Sequence, residues 1–217
     1  MNKEEFVKEC EILGIEIDSS KLEKLDKYYK LLKESGIKCL VFDLDNTLWG
    51  GLAGENDITP IELSDEHTGL AYKNLQRVIL QMKNQGVILG IVSKNNETDV
   101  MPIINEHPHM ILRDSDFSIK RINWKKKSDN IEEIVSELNV GLDSVVFFDD
   151  NPSERQLIRK VMPEVVVPEF PDLPEHLPNA MVDIWKSYFE RTIVTDEDRN
   201  KTRQYIENVE RNKYRAQ

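Results

Sequence analysis

Short apolar runs alternate with longer amphipathic segments along the middle of the chain. Residues 39–42, 87–92 and 145–148 are continuous apolar runs, too short for helices but suited to strands buried on both faces of a sheet. Helical spacing of apolar residues appears between them, at 70–85 and 131–138. This alternation predicts an α/β fold with a parallel sheet and crossover helices, in which ligands bind at the carboxyl ends of the strands.

The pattern divides the chain into three parts. We predict an N-terminal helical extension at residues 1–36, an α/β core at residues 37–192 and a C-terminal helix at residues 193–217. The amphipathic extension either covers part of the core, the alternative we favour, or docks a partner protein. Residues 163–178 hold five prolines and predict an irregular connection that leaves the sheet.

Composition narrows the class of protein. The 217 residues carry a formal net charge of −11, which argues against a general nucleic-acid or anionic-membrane binder. The sequence has no apolar run long enough to span a membrane, and its start, MNKEEFVKEC, lacks the features of a secretory signal. Cys10 and Cys39 are too few for a disulfide framework or a zinc site. We therefore expect a cytoplasmic protein.

Acidic residues follow the first and third predicted strands. Asp43 and Asp45 come directly after the first strand, and Asp149 and Asp150 come directly after the third. If these strands are adjacent, four carboxylates converge on one crevice, where their mutual repulsion requires a cation. Oxygen-rich clusters of this kind suit Mg²⁺, which also binds substrate phosphate.

Phosphate-binding groups follow the second predicted strand. That strand ends in Ser93, and the three residues after it offer an ammonium group and two side-chain amides. A run of lysines at 125–127 offers further positive charge. A divalent cation together with one lysine would make the crevice attractive to a phosphate group.

Four motifs in this order resemble those of the haloacid dehalogenase (HAD) superfamily. They are DLDNTLWGG, GIVSKNN, INWKKKSDNI and FFDDNPSER, and they are similar in particular to the FkbH-like, subclass IIIC branch, over residues 38 to about 210. The resemblance implies a Rossmann-like core, mainly a parallel sheet with helices on both faces, with a short flap after the first strand and no large cap domain.

The resemblance also implies a role for each acidic residue. Asp43 would be the nucleophile that takes the phosphoryl group, and Asp45 the acid/base that protonates the leaving group and then activates water. Mg²⁺ would be held by the side chains of Asp43 and Asp149 and by the backbone carbonyl of Asp45, with Asp150 acting directly or through water.

The same resemblance assigns the phosphate ligands. Ser93 would bind the phosphoryl oxygens, and Lys127 matches the motif lysine, three residues after Trp124 and three before Asn130. Lys127 would neutralise charge on the transferred group together with the metal.

These roles lead to three candidate functions. The first is an Mg²⁺-dependent phosphatase that acts on a small phosphorylated metabolite through an aspartyl-phosphate. The second, implied by the FkbH-like branch, is transfer of a glyceryl unit from 1,3-bisphosphoglycerate to an acyl carrier protein. Neither cysteine is an obvious relay thiol for that transfer, so the carrier's own thiol would have to attack. The third is a non-catalytic module that binds a phosphorylated ligand or a carrier protein.

The motif residues outside this set have structural interpretations. Asn151, Pro152 and Glu154 predict an N-cap, a first-turn proline and a capping-box partner for the helix that follows. Arg155 could reach either substrate or a surface carboxylate. We expect Trp124, next to the lysine run, in the core.

Overall fold

The computed structural model describes residues 38–54 and 61–189. These residues fall within one compact unit, which begins at Ile37. The predicted N-terminal extension, the predicted C-terminal helix and Cys10 lie outside the described residues. The domain limits at 36/37 and 192/193 therefore stay predictions.

The described strands form one fully parallel sheet in the order β3-β2-β1-β4. They are β1 (Cys39–Phe42), β2 (Ile88–Ser93), β3 (Ile119–Ile122) and β4 (Val145–Phe148). Val166 pairs with the outer edge of β4 through hydrogen bonds to the backbone of Val145 and Phe147. Because all four strands run in the same direction, their carboxyl ends lie together along one side of the sheet, which we call its carboxyl edge.

Five α-helices accompany the sheet in the described part of the chain. They are α1 (His67–Asn84), α2 (Glu97–Glu106), α3 (Lys127–Leu138), α4 (Pro152–Val161) and α5 (Leu177–Ile184), the last continued by a π-helical turn (Trp185–Phe189). Single 3₁₀ turns occupy Asp114–Asp116, Leu142–Ser144 and Pro174–His176. No helix among the described residues is long and apolar enough to cross a membrane.

Both faces of the sheet are buried. Along β1, Leu40 and Phe42 point into a core shared with α1, α2 and α5, whereas Cys39 and Val41 point into a second core shared with α3 and α4. This burial explains why β1 and β4 have no polar residue: each position faces helices on one side or the other.

The predicted α/β fold with a parallel sheet and helices on both faces is confirmed. The predicted runs at 39–42 and 145–148 match β1 and β4, and β2 lies one residue later than predicted. The proline-rich segment is irregular as far as residue 173, although its end belongs to the 3₁₀ turn and the start of α5.

Candidate active site

The carboxyl ends of β1 and β4 bring three acidic side chains together. The strands are paired along their whole length, and the Asp43 amide continues the pairing by donating to the Phe148 carbonyl oxygen at 3.1 Å. Asp43, Asp149 and Asp150 therefore leave neighbouring strands at the same height. One carboxylate oxygen from each lies within 4.8 Å of the others.

Lys127, the first residue of α3, lies between two of these carboxylates. Its Nζ donates to Asp43 Oδ2 at 2.6 Å and to Asp149 Oδ2 at 2.5 Å. The lysine and Asp149 are both buried. Burial opposes the charge of this ammonium group, but Asp43 and Asp149 outweigh that effect and raise the pKa of Lys127.

The site carries more negative than positive charge. Burial, the largest effect, raises the pKa of Asp149 to about 6, against the opposing attraction of Lys127. Burial, followed by repulsion from Asp43, also raises the pKa of Asp150. Two like charges 4 Å apart repel by about 4 kcal/mol at an effective dielectric constant of 20. A divalent cation would relieve this repulsion, and the all-oxygen donor set fits Mg²⁺.

The Asp45 side chain accepts hydrogen bonds from the segments that follow β1 and β2. Its Oδ1 accepts hydrogen bonds from Trp49 Nε1 at 2.9 Å and the Ala53 amide at 3.0 Å, and its Oδ2 accepts one from Asn95 Nδ2 at 2.7 Å. Burial is the main cause that raises the pKa of Asp45, and Asp43 adds to it. A raised pKa favours the protonated form that a general acid needs.

Two residues outside the predicted set fix the loops that carry the carboxylates. Thr47 Oγ1 accepts a hydrogen bond from the Asp150 amide at 3.2 Å, which joins the loop after β1 to the loop after β4. Arg155, at the start of α4, donates through one terminal nitrogen to the carbonyl oxygens of Asp149 at 2.8 Å and Asp150 at 2.6 Å. Among the described residues Arg155 pairs with no surface carboxylate; it holds the backbone beside two candidate metal ligands.

The residues after β2 have partners within the protein. Ser93 is buried at the end of β2, and its carbonyl oxygen accepts from the Asn123 amide at 3.0 Å. Lys94 donates to Glu154 at 2.5 Å, and so its ammonium group is already paired. The role of Ser93 in phosphate binding stays a prediction.

The cap of α4 is formed as predicted by Asn151, whose side chain accepts from the Ser153 amide at 2.9 Å, with Pro152 in the first turn. The capping box is not formed, because the Asn151 amide donates to Asp149 Oδ1 at 2.8 Å. Glu154 binds Lys94 instead. The cap thus also positions Asp149.

A tight turn after Asp45 leads the chain into the flap. Gly51 has a φ of +89°, a conformation that glycine adopts without strain. Gly50 pairs with Glu62, and a Cβ on Gly50 would lie 2.8 Å from the Glu62 Cβ. Glycine at position 51 therefore allows the positive φ, and glycine at position 50 allows the close approach of Glu62.

The structure brings together most, but not all, of the predicted site side chains. Asp43, Asp149, Asp150 and Lys127 share one cluster, whereas the Asp45 carboxylate is directed to its own three donors. This arrangement leaves the Asp45 backbone carbonyl as that residue's candidate metal ligand. The catalytic and ligand roles themselves stay predictions.

The expected core position of Trp124 is wrong. Its side chain is 70% exposed, and Nε1 donates to Asn96 Oδ1 at 3.0 Å. Trp124 belongs to the segment between β3 and α3, where its neighbours Lys125 and Lys126 are exposed as well.

Comparison with solved structures supports the fold. Over 78% of its length the chain is 34% identical to a structure from Bacteroides fragilis, described as the N-terminal part of a protein containing a phosphatase domain, complexed with Mg; the TM-score is 0.71. The chain shares the fold of the matched part of that structure. It spans 45% of the Bacteroides chain, less than half of that length.

Two other structures align with TM-scores below 0.5. A cobalt-bound deoxy-D-mannose-octulosonate 8-phosphate phosphatase from Haemophilus influenzae is 10% identical over 79% of this chain and 98% of its own, with a TM-score of 0.48. A putative HAD-superfamily (subfamily III A) hydrolase from Legionella pneumophila is 14% identical over 88% of this chain and 99% of its own, with a TM-score of 0.43. No protein-family model and no curated protein matches the chain.

Proposed function

We propose that the protein is an Mg²⁺-dependent phosphatase of the HAD superfamily that hydrolyses a small phosphorylated metabolite. The observation that carries this proposal is the convergence of Asp43, Asp149 and Asp150 within 4.8 Å of one another, with Lys127 bonded to two of them. The similarity to a Mg-complexed phosphatase domain supports it.

The carboxylates of Asp43, Asp149 and Asp150, with the Asp45 carbonyl, would hold Mg²⁺. The ion would supply positive charge that offsets the charge on the phosphoryl oxygens. Lys127 contributes a second positive charge from the buried side of the cluster, and Ser93 would donate its hydroxyl hydrogen to a phosphoryl oxygen.

Catalysis would take two steps: Asp45 would give up a proton in the first and recover one from water in the second. Asp43 attacks phosphorus, the bond to the leaving oxygen breaks, and Asp45 gives its proton to that oxygen. Asp45 then takes a proton from water, which attacks the aspartyl-phosphate, releases phosphate and regenerates Asp43. The Asp45 Oδ2 accepts one hydrogen bond, and so it retains a position for the proton.

The direct test is an Asp43→Asn variant assayed for Mg²⁺-dependent phosphate release from p-nitrophenyl phosphate. We expect the rate to fall by about 10³-fold or more, because the amide cannot act as the nucleophile. Asp172→Asn, at an exposed position in the irregular connection, is the matched control and should retain activity. Circular dichroism would check that both variants fold. Full turnover by Asp43→Asn would remove Asp43 from the nucleophile role.

The finer assignment to the FkbH-like, subclass IIIC branch makes glyceryl transfer to an acyl carrier protein a second candidate. Its four motifs favour it, and the burial of Cys39, which raises the pKa of that thiol to about 12, restricts its mechanism. A relay through Cys39 is disfavoured, so the carrier thiol would attack the acyl carbon of 1,3-bisphosphoglycerate directly, forming a thioester and releasing phosphate.

Mass spectrometry of a phosphopantetheinylated carrier incubated with the protein and 1,3-bisphosphoglycerate separates these functions. An increase in carrier mass would support the transferase, and phosphate release with an unchanged carrier mass would support the phosphatase. A wild-type protein that binds Mg²⁺ but releases no phosphate would favour the non-catalytic binding module.

A further inference from the structure

Trp124 is an exposed aromatic residue on the segment that leads into α3, three residues before Lys127. Large apolar side chains that are exposed in the described residues are few: Leu52, Trp124, Leu157, Val161 and Leu173. Two of them, Leu52 and Trp124, belong to the segments that follow β1 and β3. Both segments leave the carboxyl edge of the sheet, where the carboxylate cluster lies.

One hydrogen bond joins the exposed indole to the start of α2. Trp124 Nε1 donates to Asn96 Oδ1 at 3.0 Å, and Asn96 Nδ2 donates to Asp99 Oδ2 at 2.9 Å. Asn96 occupies the N-cap position of α2, although its side chain makes no cap hydrogen bond, and Asp99 lies in the first turn. The N–H edge of the indole is thus tied to the start of α2, while most of its apolar surface is exposed. Exposed aromatic side chains with one polar group engaged in this way are typical of binding surfaces.

The same network leads from Trp124 to the proposed acid. The Asn96 amide donates to Asn95 Oδ1 at 3.0 Å, and Asn95 Nδ2 donates to Asp45 Oδ2 at 2.7 Å. The Asn123 amide also binds the carbonyl oxygen of Ser93, which places the residue before Trp124 at the end of β2. Trp124 is therefore connected to the side of the site where Asp45 would meet the leaving group.

We propose that the exposed indole face of Trp124 binds the leaving group of the substrate and selects leaving groups that present a flat, apolar ring. This inference rests on the proposed phosphatase function. The carboxylates and Lys127 form a polar site suited to the phosphate, and the ring of the leaving group packs on Trp124. Leu52, next to Ala53, which donates to Asp45, adds apolar surface on the flap.

The kinetic test compares phenyl phosphate with glycerol 3-phosphate, which lacks a ring. For Trp124→Ala, we expect the ratio of kcat/KM for phenyl phosphate to kcat/KM for glycerol 3-phosphate to fall by about 3- to 10-fold, mainly through KM for phenyl phosphate. Trp124→Phe retains an aromatic face and should retain most of the ratio. Leu173→Ala, at an exposed apolar position in the irregular connection, should leave the ratio unchanged. A ratio for Trp124→Ala within twofold of wild type would overturn the proposal.

A binding measurement separates this inference from the proposed function. The indole N–H signal of Trp124, identified by its loss in Trp124→Phe, would be followed by NMR with Mg²⁺ and phenylphosphonate or methylphosphonate. We expect the signal to shift with phenylphosphonate and not with methylphosphonate. A shift without any phosphate release would overturn the phosphatase function and keep the subsite. Phosphate release without a shift would overturn the subsite alone, and the absence of both would overturn both.

Discussion

At the scale of single residues, Arg155 offers a test of whether the backbone beside the candidate ligands affects Mg²⁺ binding. Its two hydrogen bonds end on the carbonyl oxygens of Asp149 and Asp150, adjacent to their carboxylates. Groups that orient metal ligands in this way change metal affinity by about 10- to 100-fold when they are removed. We therefore expect Arg155→Met to weaken Mg²⁺ binding by about tenfold or more, as measured by isothermal titration calorimetry.

Arg159 provides the control, because it lies on the same helix and also binds backbone carbonyls, but at Val167 and Pro168. Arg159→Met should leave Mg²⁺ affinity unchanged. Equal affinity in Arg155→Met and Arg159→Met would show that Arg155 supports only the fold. Arg155→Lys should restore part of the affinity, since an ammonium group lacks the planar geometry of guanidinium but can still donate to a carbonyl oxygen.

The sequence alone could place Asp43 and Asp149 near each other but could not reveal Arg155. Acidic residues that directly follow apolar strands converge whenever the strands are parallel neighbours, and this argument needs only the order of elements. Arg155 acts on backbone carbonyls five and six residues before it, which depends on how α4 turns away from β4. The core position predicted for Trp124 is wrong for a similar reason. Whether an aromatic residue after a strand is buried depends on how the neighbouring helices pack, which the local sequence does not show.

At the scale of elements, the flap depends on close packing at Gly50. Its amide and carbonyl both bond to the backbone of Glu62, at 3.1 and 2.8 Å, and a Cβ would also lie 3.0 Å from Tyr72 Cε2. Overpacking of this kind costs about 1–3 kcal/mol. We expect Gly50→Ala to lower the free energy of unfolding by about that amount in urea denaturation, with Leu173→Ala as a control that changes little. An unchanged midpoint for Gly50→Ala would mean that the flap moves aside without cost.

The strands also differ in how well they can be predicted from the sequence. β1 and β4 are continuous apolar runs because both of their faces are covered, and such runs are visible in a sequence. β3 reads Ile-Lys-Arg-Ile and lies at the edge of the described sheet, where Lys120 and Arg121 reach acidic partners in Asp114, Glu133 and Glu137. β3 contains no continuous apolar run, and it is recognised as a strand only through its pairing with β2.

At the scale of the whole molecule, Cys39 lies at the end of β1 remote from the candidate metal site. β1 is paired on both sides, and Cys39 is fully buried. At about 3.3 Å per residue, Asp43 is about 13 Å away along the chain. Burial raises the pKa of the Cys39 thiol to about 12, so the folded protein holds almost no reactive thiolate at pH 8. The thiol should react only when the sheet opens and its pKa returns to the ordinary range.

This isolation makes Cys39 a reporter of cooperative unfolding in a Cys10→Ser background. If Mg²⁺ binds at the carboxyl ends of β1 and β4, it raises the equilibrium constant for folding by a factor of 1 + [Mg²⁺]/Kd. At a concentration ten times Kd, the reaction of Cys39 with a disulfide reagent should therefore slow by about tenfold. Asp149→Asn, which removes a candidate ligand, should lose this effect of Mg²⁺. A fast reaction that Mg²⁺ does not slow would show that the amino end of β1 opens independently of the site.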